Sequence, residues 1–213
     1  MAGDRPVALC SKFTTFMRVL LILLTVLCVV SCGENGGYTN MRINTDNGYE
    51  EFRIPANFET ASDPDSVISF SCTFPGFQAE DPTRPTDLYV QILAAGATIL
   101  AERLAAEDPN RPGYSVPRLI STANGVRIFD YHLSKNTTET GRIELYPVDG
   151  GWLSVDYSGK EVRTAHFNRR LGRNLQVIYQ VRKDLVSEPL KIDALVMQFV
   201  SAAKISKQSR GQR

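Results

Sequence analysis

The chain of 213 residues is 43% hydrophobic and 22% charged, with 24 basic against 23 acidic side chains. This ordinary globular composition excludes a disordered polar tail, a collagen-like fibre and a disulfide-knotted miniprotein. A net charge of +1 leaves no polyelectrolyte footprint of the kind that nucleic-acid binding impresses on a domain, so no nucleic-acid partner is expected.

The first element in chain order is an apolar run from Val19 to Val30, preceded by Lys12 and Arg18 and followed by Ser31, Cys32 and Gly33. It is too short for a hydrocarbon core that needs about 20 apolar residues. A positive n-region, a short apolar h-region and a small-residue boundary build a secretory signal, here over residues 1–31. Met17-Arg18 stands immediately before the run and would alone open a compact leader. The four residues Val29-Val30-Ser31-Cys32 resemble the bacterial lipobox. That resemblance implies that the Cys32 thiol accepts a diacylglycerol, that the bond before it is cut and that its new amine is acylated. Several chains at about 0.8 kcal/mol per buried methylene would anchor the protein permanently. By the same resemblance Gly33, where Asp would favour retention in the inner membrane, implies the outer membrane with the protein facing the periplasm. A plain secretory signal in which Cys32 is incidental is the alternative.

Removing residues 1–31 would take Arg5, Lys12, Arg18 and Asp4 and leave 21 basic against 22 acidic side chains. Cys10 and Cys28 would leave with the leader and Cys32 would carry lipid, so Cys72 stands alone and no intramolecular disulfide is expected. It lies in the apolar run Val67–Phe74, where a buried inert thiol is the expected state.

Residues 32–48 are rich in Gly and Asn and read as a flexible tether, with a root-mean-square reach of about 20 to 25 Å over sixteen residues. The globular domain is expected over residues 49–205. Strand patterns run over Tyr49–Ile54, Val67–Phe74 (with Phe70, Cys72 and Phe74 on one face) and Leu88–Ala94, and Thr98–Leu104 reads as helix. Short β-rich runs then follow over Val126–Leu133, Arg142–Tyr146, Gly151–Tyr157, Glu161–Phe167 and Leu175–Val181. Turn residues between them, such as Asp149-Gly150-Gly151 and Ser158-Gly159-Lys160, favour sequential antiparallel pairing. After Ser187-Glu188-Pro189, the spacing of Ile192, Leu195, Val196, Phe199 and Val200 predicts an amphipathic helix. The fold class expected is a single α+β domain, a mostly antiparallel sheet with the C-terminal helix packed on it. Residues 206–213 form a basic disordered tail; Lys204, Lys207, Arg210 and Arg213 read either as a frayed soluble end or as an attraction for anionic lipid heads.

Nucleotide, zinc and redox signatures are missing from the sequence, and only His132 and His166 occur, so no cofactor or metal is expected. Asp130, His132 and Ser134 alternate along one strand, but same-face residues two apart are separated by two rises of about 3.3 Å, which suits a polar sheet face better than a hydrogen-bonded triad. Glu139, Glu144 and Asp156 offer acids for glycoside hydrolysis, with no spacing that sets them apart. Asn136-Thr137-Thr138 is a glycosylation sequon without use in a bacterial lipoprotein.

The richest segment is Arg163–Asn174, where Arg163, His166, Arg169, Arg170 and Arg173 surround a turn between strands, with Trp152 near in sequence. Arg and aromatic residues concentrate at binding hot spots, so these six are the candidate partner-binding residues; a solvated, Arg-decorated hairpin loop is the competing reading.

The domain, through Phe52-Arg53-Ile54-Pro55 and Phe74-Pro75 ahead of a late strand and an amphipathic helix, resembles small lipoproteins of Gram-negative bacteria. Some of these look like immunity or inhibitor proteins that neutralise toxins of contact-dependent secretion. The function expected is a lipid-anchored, non-enzymatic envelope protein that binds a protein partner. A structural or assembly lipoprotein of an envelope complex is the alternative, and an envelope hydrolase a third.

Overall fold

The computed structural model describes residues 37–63, 67–96, 98–106, 117–132, 140–158 and 163–205. The leader with Cys32, the basic tail over 206–213, Ser134, Asn136 and Glu139 lie outside the described residues. In chain order the elements are β1 (Tyr38–Thr45), β2 (Gly48–Pro55), β3 (Glu59–Asp63), β4 (Val67–Cys72), β5 (Leu88–Ala94), α1 (Leu100–Ala106), β6 (Arg118–Ala123), β7 (Val126–His132), β8 (Thr140–Val148), β9 (Gly151–Asp156), β10 (Thr164–Leu171), β11 (Leu175–Arg182) and α2 (Pro189–Ala203).

Strands β6 to β11 pair one after another as a meander, and β3-β4-β5 form a second one. Antiparallel pairing of β11 with β5 joins the two into a nine-stranded sheet of order β3-β4-β5-β11-β10-β9-β8-β7-β6. Strands β1 and β2 form a separate antiparallel hairpin. The expected class, an antiparallel sheet with a C-terminal helix in one domain, is the class observed.

Strand alternation sorts the sheet into two faces. On the first, Leu88, Val90 and Ile92 of β5, Leu175, Val177, Tyr179 and Val181 of β11, and Ala165 and Phe167 of β10 are all buried. The hairpin and α2 cover this face: Met41, Ile43, Phe52 and Ile54 join the same core as Ile192, Val196 and Val200. Phe199 closes the aromatic group, its ring 4.6 Å from that of Phe77 and about 6 Å from those of Phe58 and Phe70. On the opposite face α1, in the crossover from β5 to β6, packs Ala101 and Leu104 with Phe129, Ile143 and Leu145. Among the described residues, both cores draw on Met41 and the residues after it.

Four expectations are corrected. The tether expected over 32–48 does not extend through β1, whose Met41 and Ile43 are buried against the sheet. Strands β3 and β6 are additional; β6 joins β7 through Asn124 (φ 51°) and Gly125 (φ 80°), two left-handed residues that make the hairpin turn matching strand twist. The strand expected to run to Phe74 stops at Cys72, and Phe74 turns back onto the ring of Phe77, 5.8 Å away. On α2, Leu195 is exposed and Asp193 is buried in its stead.

Asp193 is held inside by partners. Tyr179 donates its hydroxyl to Asp193 at 2.8 Å, and Arg169 donates to the other carboxylate oxygen while its second terminal nitrogen reaches the Asp149 carbonyl at 3.0 Å. Burial pushes the Asp193 carboxyl up, opposed by Arg169 and Tyr179, and burial with Asp193 alongside pushes the Tyr179 phenol well up. Removing one member of a buried pair strands the other charge. Asp193→Ala is therefore expected to lose about 3 kcal/mol or more in urea denaturation, whereas Arg169→Leu combined with Asp193→Leu recovers much of that loss.

Candidate functional site

The six residues singled out in sequence do not converge. Adjacent positions on β10 face opposite ways, so Arg169 points to the α2 side, where it pairs with Asp193. Arg170 points to the α1 side. Its guanidinium holds Glu102 with two nitrogens, one of them at 2.7 Å, and donates to the carbonyls of Arg173 at 3.0 Å and Gly96 at 3.3 Å. Trp152, on the same face, lies under the guanidinium of Arg127, 5.1 Å from ring centroid to carbon, and packs against the α1 core. Arg163 precedes β10 and Arg173 sits in the turn after it, at opposite ends of the strand; both are exposed. Only His166 reaches the open part of the sheet, with Thr164 Oγ1 3.5 Å from its Nε2.

That open part is the side of β4, β5, β11 and the first half of β10 turned away from the hairpin; among the described residues α1 packs to one side of it, on β7, β8, β9 and β10. The register lines up Ser69 and Ser71, Tyr89 and Gln91, Gln176 and Gln180, and Thr164, His166 and Asn168 here, with Ile178 between Gln91 and Asn168 and Val67 and Leu93 at one end. Two pairs of these side chains hydrogen-bond each other, Gln91 Nε2 to Tyr89 Oη and Gln176 Nε2 to Asn168 Oδ1, both at 3.1 Å, and Ser69 Oγ donates to the backbone carbonyl of Ala61 at 3.2 Å. A shallow depression of about 250 Å³ opens between Ser71, Thr86, Tyr89, Thr164 and Gln180. Among the described residues, carboxylates and guanidinium groups stand at the strip's margins, where Arg170 meets Glu102, Arg182 meets Asp87 and Asp184, and Glu80 accepts from Thr86. A face of Tyr, Gln, Asn, Ser and Thr around Ile178 can offer and accept hydrogen bonds at low desolvation cost, the property that paratopes exploit. The period-two alternation of Ser69-Phe70-Ser71-Cys72 and Tyr89-Val90-Gln91-Ile92 is the sequence signal that would have found it, interrupted on β11 by Ile178 between Gln176 and Gln180.

Of the acids considered for hydrolysis, Asp130 and Glu144 share one face of the sheet and Asp156 lies on the other. Asp130 faces the α2 side, opposite Arg142 on β8. Glu144 points to that same side, bound to Arg142 at 2.8 Å and to the Tyr146 hydroxyl, while Asp156 is on the opposite face, accepting the Tyr131 hydroxyl at 2.8 Å. Tyr131 lies flat over Gly141, where a Cβ would stand 2.3 Å from its ring. Burial pushes the Tyr131 phenol up to about 12 and the Tyr146 and Tyr157 phenols higher still, with Glu144 adding to the last two. Cys72 is fully buried, and burial foremost, with Glu80 and Asp87 adding, pushes its thiol up to about 12. Such a thiol is protonated and enclosed.

Two outcomes follow for measurement. In the native protein a disulfide reagent should label Cys72 only after denaturant is added, and rapid native labelling would show an open site. The Arg170 guanidinium holds the Glu102 carboxyl below its usual range, an effect only partly opposed by burial. That contribution is present above the unfolded Glu value of about 4.3 and is lost as pH falls through the depressed folded value. Arg170→Met should cost about 1 to 2 kcal/mol at neutral pH, and the gap from wild type should close in acid.

No family model and no curated protein matches the sequence. Among solved structures, the chain is similar in fold to Smlt3025, an immunity protein of the Stenotrophomonas maltophilia type IV secretion system. The TM-score is 0.51 at 9% identity, over 82% of this chain and 97% of that one. At this identity the likeness is one of fold.

Proposed function

We propose that this chain is a non-enzymatic envelope protein, tethered through an acylated Cys32, that binds and neutralises a protein effector in the manner of an immunity protein. The observation that carries the reading is the hydrogen-bonding strip, with Ile178 within it, on the side of β4, β5, β11 and β10 that is open among the described residues, centred on Tyr89 and Gln180. A depression this shallow, lined by residues of neighbouring strands, suits the surface of a macromolecule better than enclosure of a small molecule. Fold likeness to an immunity protein supports the same reading, as does the engagement of Glu144 by Arg142 and Tyr146 and of Asp156 by Tyr131. The contact surface moves from the Arg-rich turn to the strip beside it: His166 belongs to both, Arg163 and Arg173 flank the strip at its rim, and Arg169 and Arg170 hold helices in place.

The chain from residue 33 onward, used as bait in extract of its own cells, should retain a saturable protein partner. Tyr89→Ala combined with Gln180→Ala should weaken that binding at least tenfold with the unfolding midpoint unchanged, because aromatic anchors dominate such interfaces. Lack of any saturable partner, or indifference to the double substitution, overturns the reading. Mass spectrometry of the mature N-terminus tests the anchor separately: an unmodified Cys32 removes it.

A further inference from the structure

The strip is not polar throughout. Val67 stands beside Leu93 in one row across the strands, and Ile178 stands beside Gln91 in the next row, one strand further over. Leu93 and Ile178 are thus diagonal neighbours, a spacing of about 7 to 8 Å that long side chains bridge. The three form one contiguous aliphatic group. All three stay half-buried, and among the described residues none packs into either core. Tyr89 and Gln180 share the row beyond Gln91 and Ile178, so the apolar group sits at one end and the depression at the other. An apolar group rimmed by polar side chains marks a surface that is covered in use.

The strands beneath constrain what covers it. β4, β5, β11 and β10 are each paired on both sides, so they present side chains and no free edge. A strand laid on this face would find no backbone partner there, and each N–H or C=O buried unpaired costs about as much as a lost hydrogen bond. A helix carries those bonds within itself. From β4 to β11 is two strand spacings, about 10 Å, which matches the diameter of a helix. Helix α1 already covers neighbouring strands of the same face, through Ala101 and Leu104. Along β5, Tyr89 to Leu93 is about 13 Å, slightly more than two helical turns. The groups beside Ile178 are the neutral amides of Gln91 and Asn168, so a charged side chain placed over it would lose water without gaining a counter-ion.

We infer that the strip is covered by an amphipathic helix of the protein effector, laid beside α1 with its uncharged face down. An aliphatic or aromatic side chain of that helix sits on Val67, Leu93 and Ile178, and a hydrogen-bonding side chain about two turns away meets Tyr89 and Gln180. The inference deepens the proposed binding role and rests on it. The two ends divide the work of recognition. Burial of the aliphatic group excludes water at one end. At the other end Tyr89 Oη accepts from Gln91 and has its own proton to donate, which favours an acceptor on the helix.

The test replaces Tyr89, Gln91 or Leu93 in turn with the photoreactive residue benzoylphenylalanine, in the full chain made in its own cells, and maps the crosslinks on the captured protein by mass spectrometry. The crosslinked residues are expected in one segment at spacings of three or four, with the targets of the Tyr89 and Leu93 positions about seven residues apart. Leu93→Ser combined with Ile178→Ser should weaken binding of that protein at least tenfold with the unfolding midpoint unchanged. Ile178→Lys should weaken it about a hundredfold, from an ammonium buried without a partner. Leu93→Met combined with Ile178→Leu keeps an aliphatic group and should stay within about threefold of wild type. A spacing of two on the captured protein, crosslinks scattered over distant segments, or indifference to both Ile178→Lys and the serine pair overturns the inference while the binding role stands. Crosslinks to a second copy of this chain alone would make the strip a self-interface and overturn both. Capture of no protein from any of the three positions also removes the binding role, and the helix with it.

Discussion

Two consecutive arginines on one strand organise the molecule. Side chains alternate across a sheet with a period of two, so Arg169 and Arg170 on β10 must point to opposite faces. Each meets a single carboxylate on a helix: Asp193 of α2 on one side, Glu102 of α1 on the other. A nine-stranded sheet has two faces to cover, and these two helices, one from the C-terminal end and one from the crossover between meanders, are both fastened through the same residue pair near the middle of the strand order. The two bonds differ physically. Asp193 is sealed and shared with Tyr179, so its loss leaves a charge inside, whereas Glu102 and Arg170 retain water access and are correspondingly sensitive to pH.

Coverage is unequal as a result. The α2 side carries the helix and a two-stranded hairpin side by side, and its core is continuous from Met41 to Val200. The α1 side carries a two-turn helix of seven residues packed on β7, β8, β9 and β10. Among the described residues, this short helix leaves the strip over β4, β5 and β11 open. Its residues are suited to that exposure. Gln91 bonds to Tyr89 and Gln176 to Asn168, and Ile178 packs between them.

Much of this was legible in sequence where hydrophobic periodicity carries the signal. The late strands, the short helix after Thr98 and the amphipathic C-terminal helix all follow from alternation or from three-and-four spacing. What escaped did so for identifiable reasons. Strand β1 has only Met41 and Ile43 on its buried side within a Gly- and Asn-rich stretch, and its burial depends on partners in β2 that no local window contains. Strand β6 is an edge strand with a bulge and mostly exposed residues, announced only by Asn124-Gly125. Asp193 reads as a polar interruption of a helical stripe because its partners lie 24 and 14 positions away in sequence. The Arg-rich segment drew notice as a cluster, yet clustering in sequence along a strand means division in space.

The same division sets two chemically different surfaces on opposite sides of the sheet. The hairpin packs on the α2 side of β4 and β5, and the polar strip is the opposite side of those same strands. The hairpin's outward face stacks Arg42 on Tyr49 and Arg53 on Tyr38, with Glu51 beside Arg42, whereas the strip sets Tyr89, Gln91, Gln176 and Gln180 around Ile178. A face of neutral donors and acceptors exchanges water for partner hydrogen bonds at lower desolvation cost than a face of paired charges does. Because the sheet stands between them, side chains on one surface can change without touching those on the other.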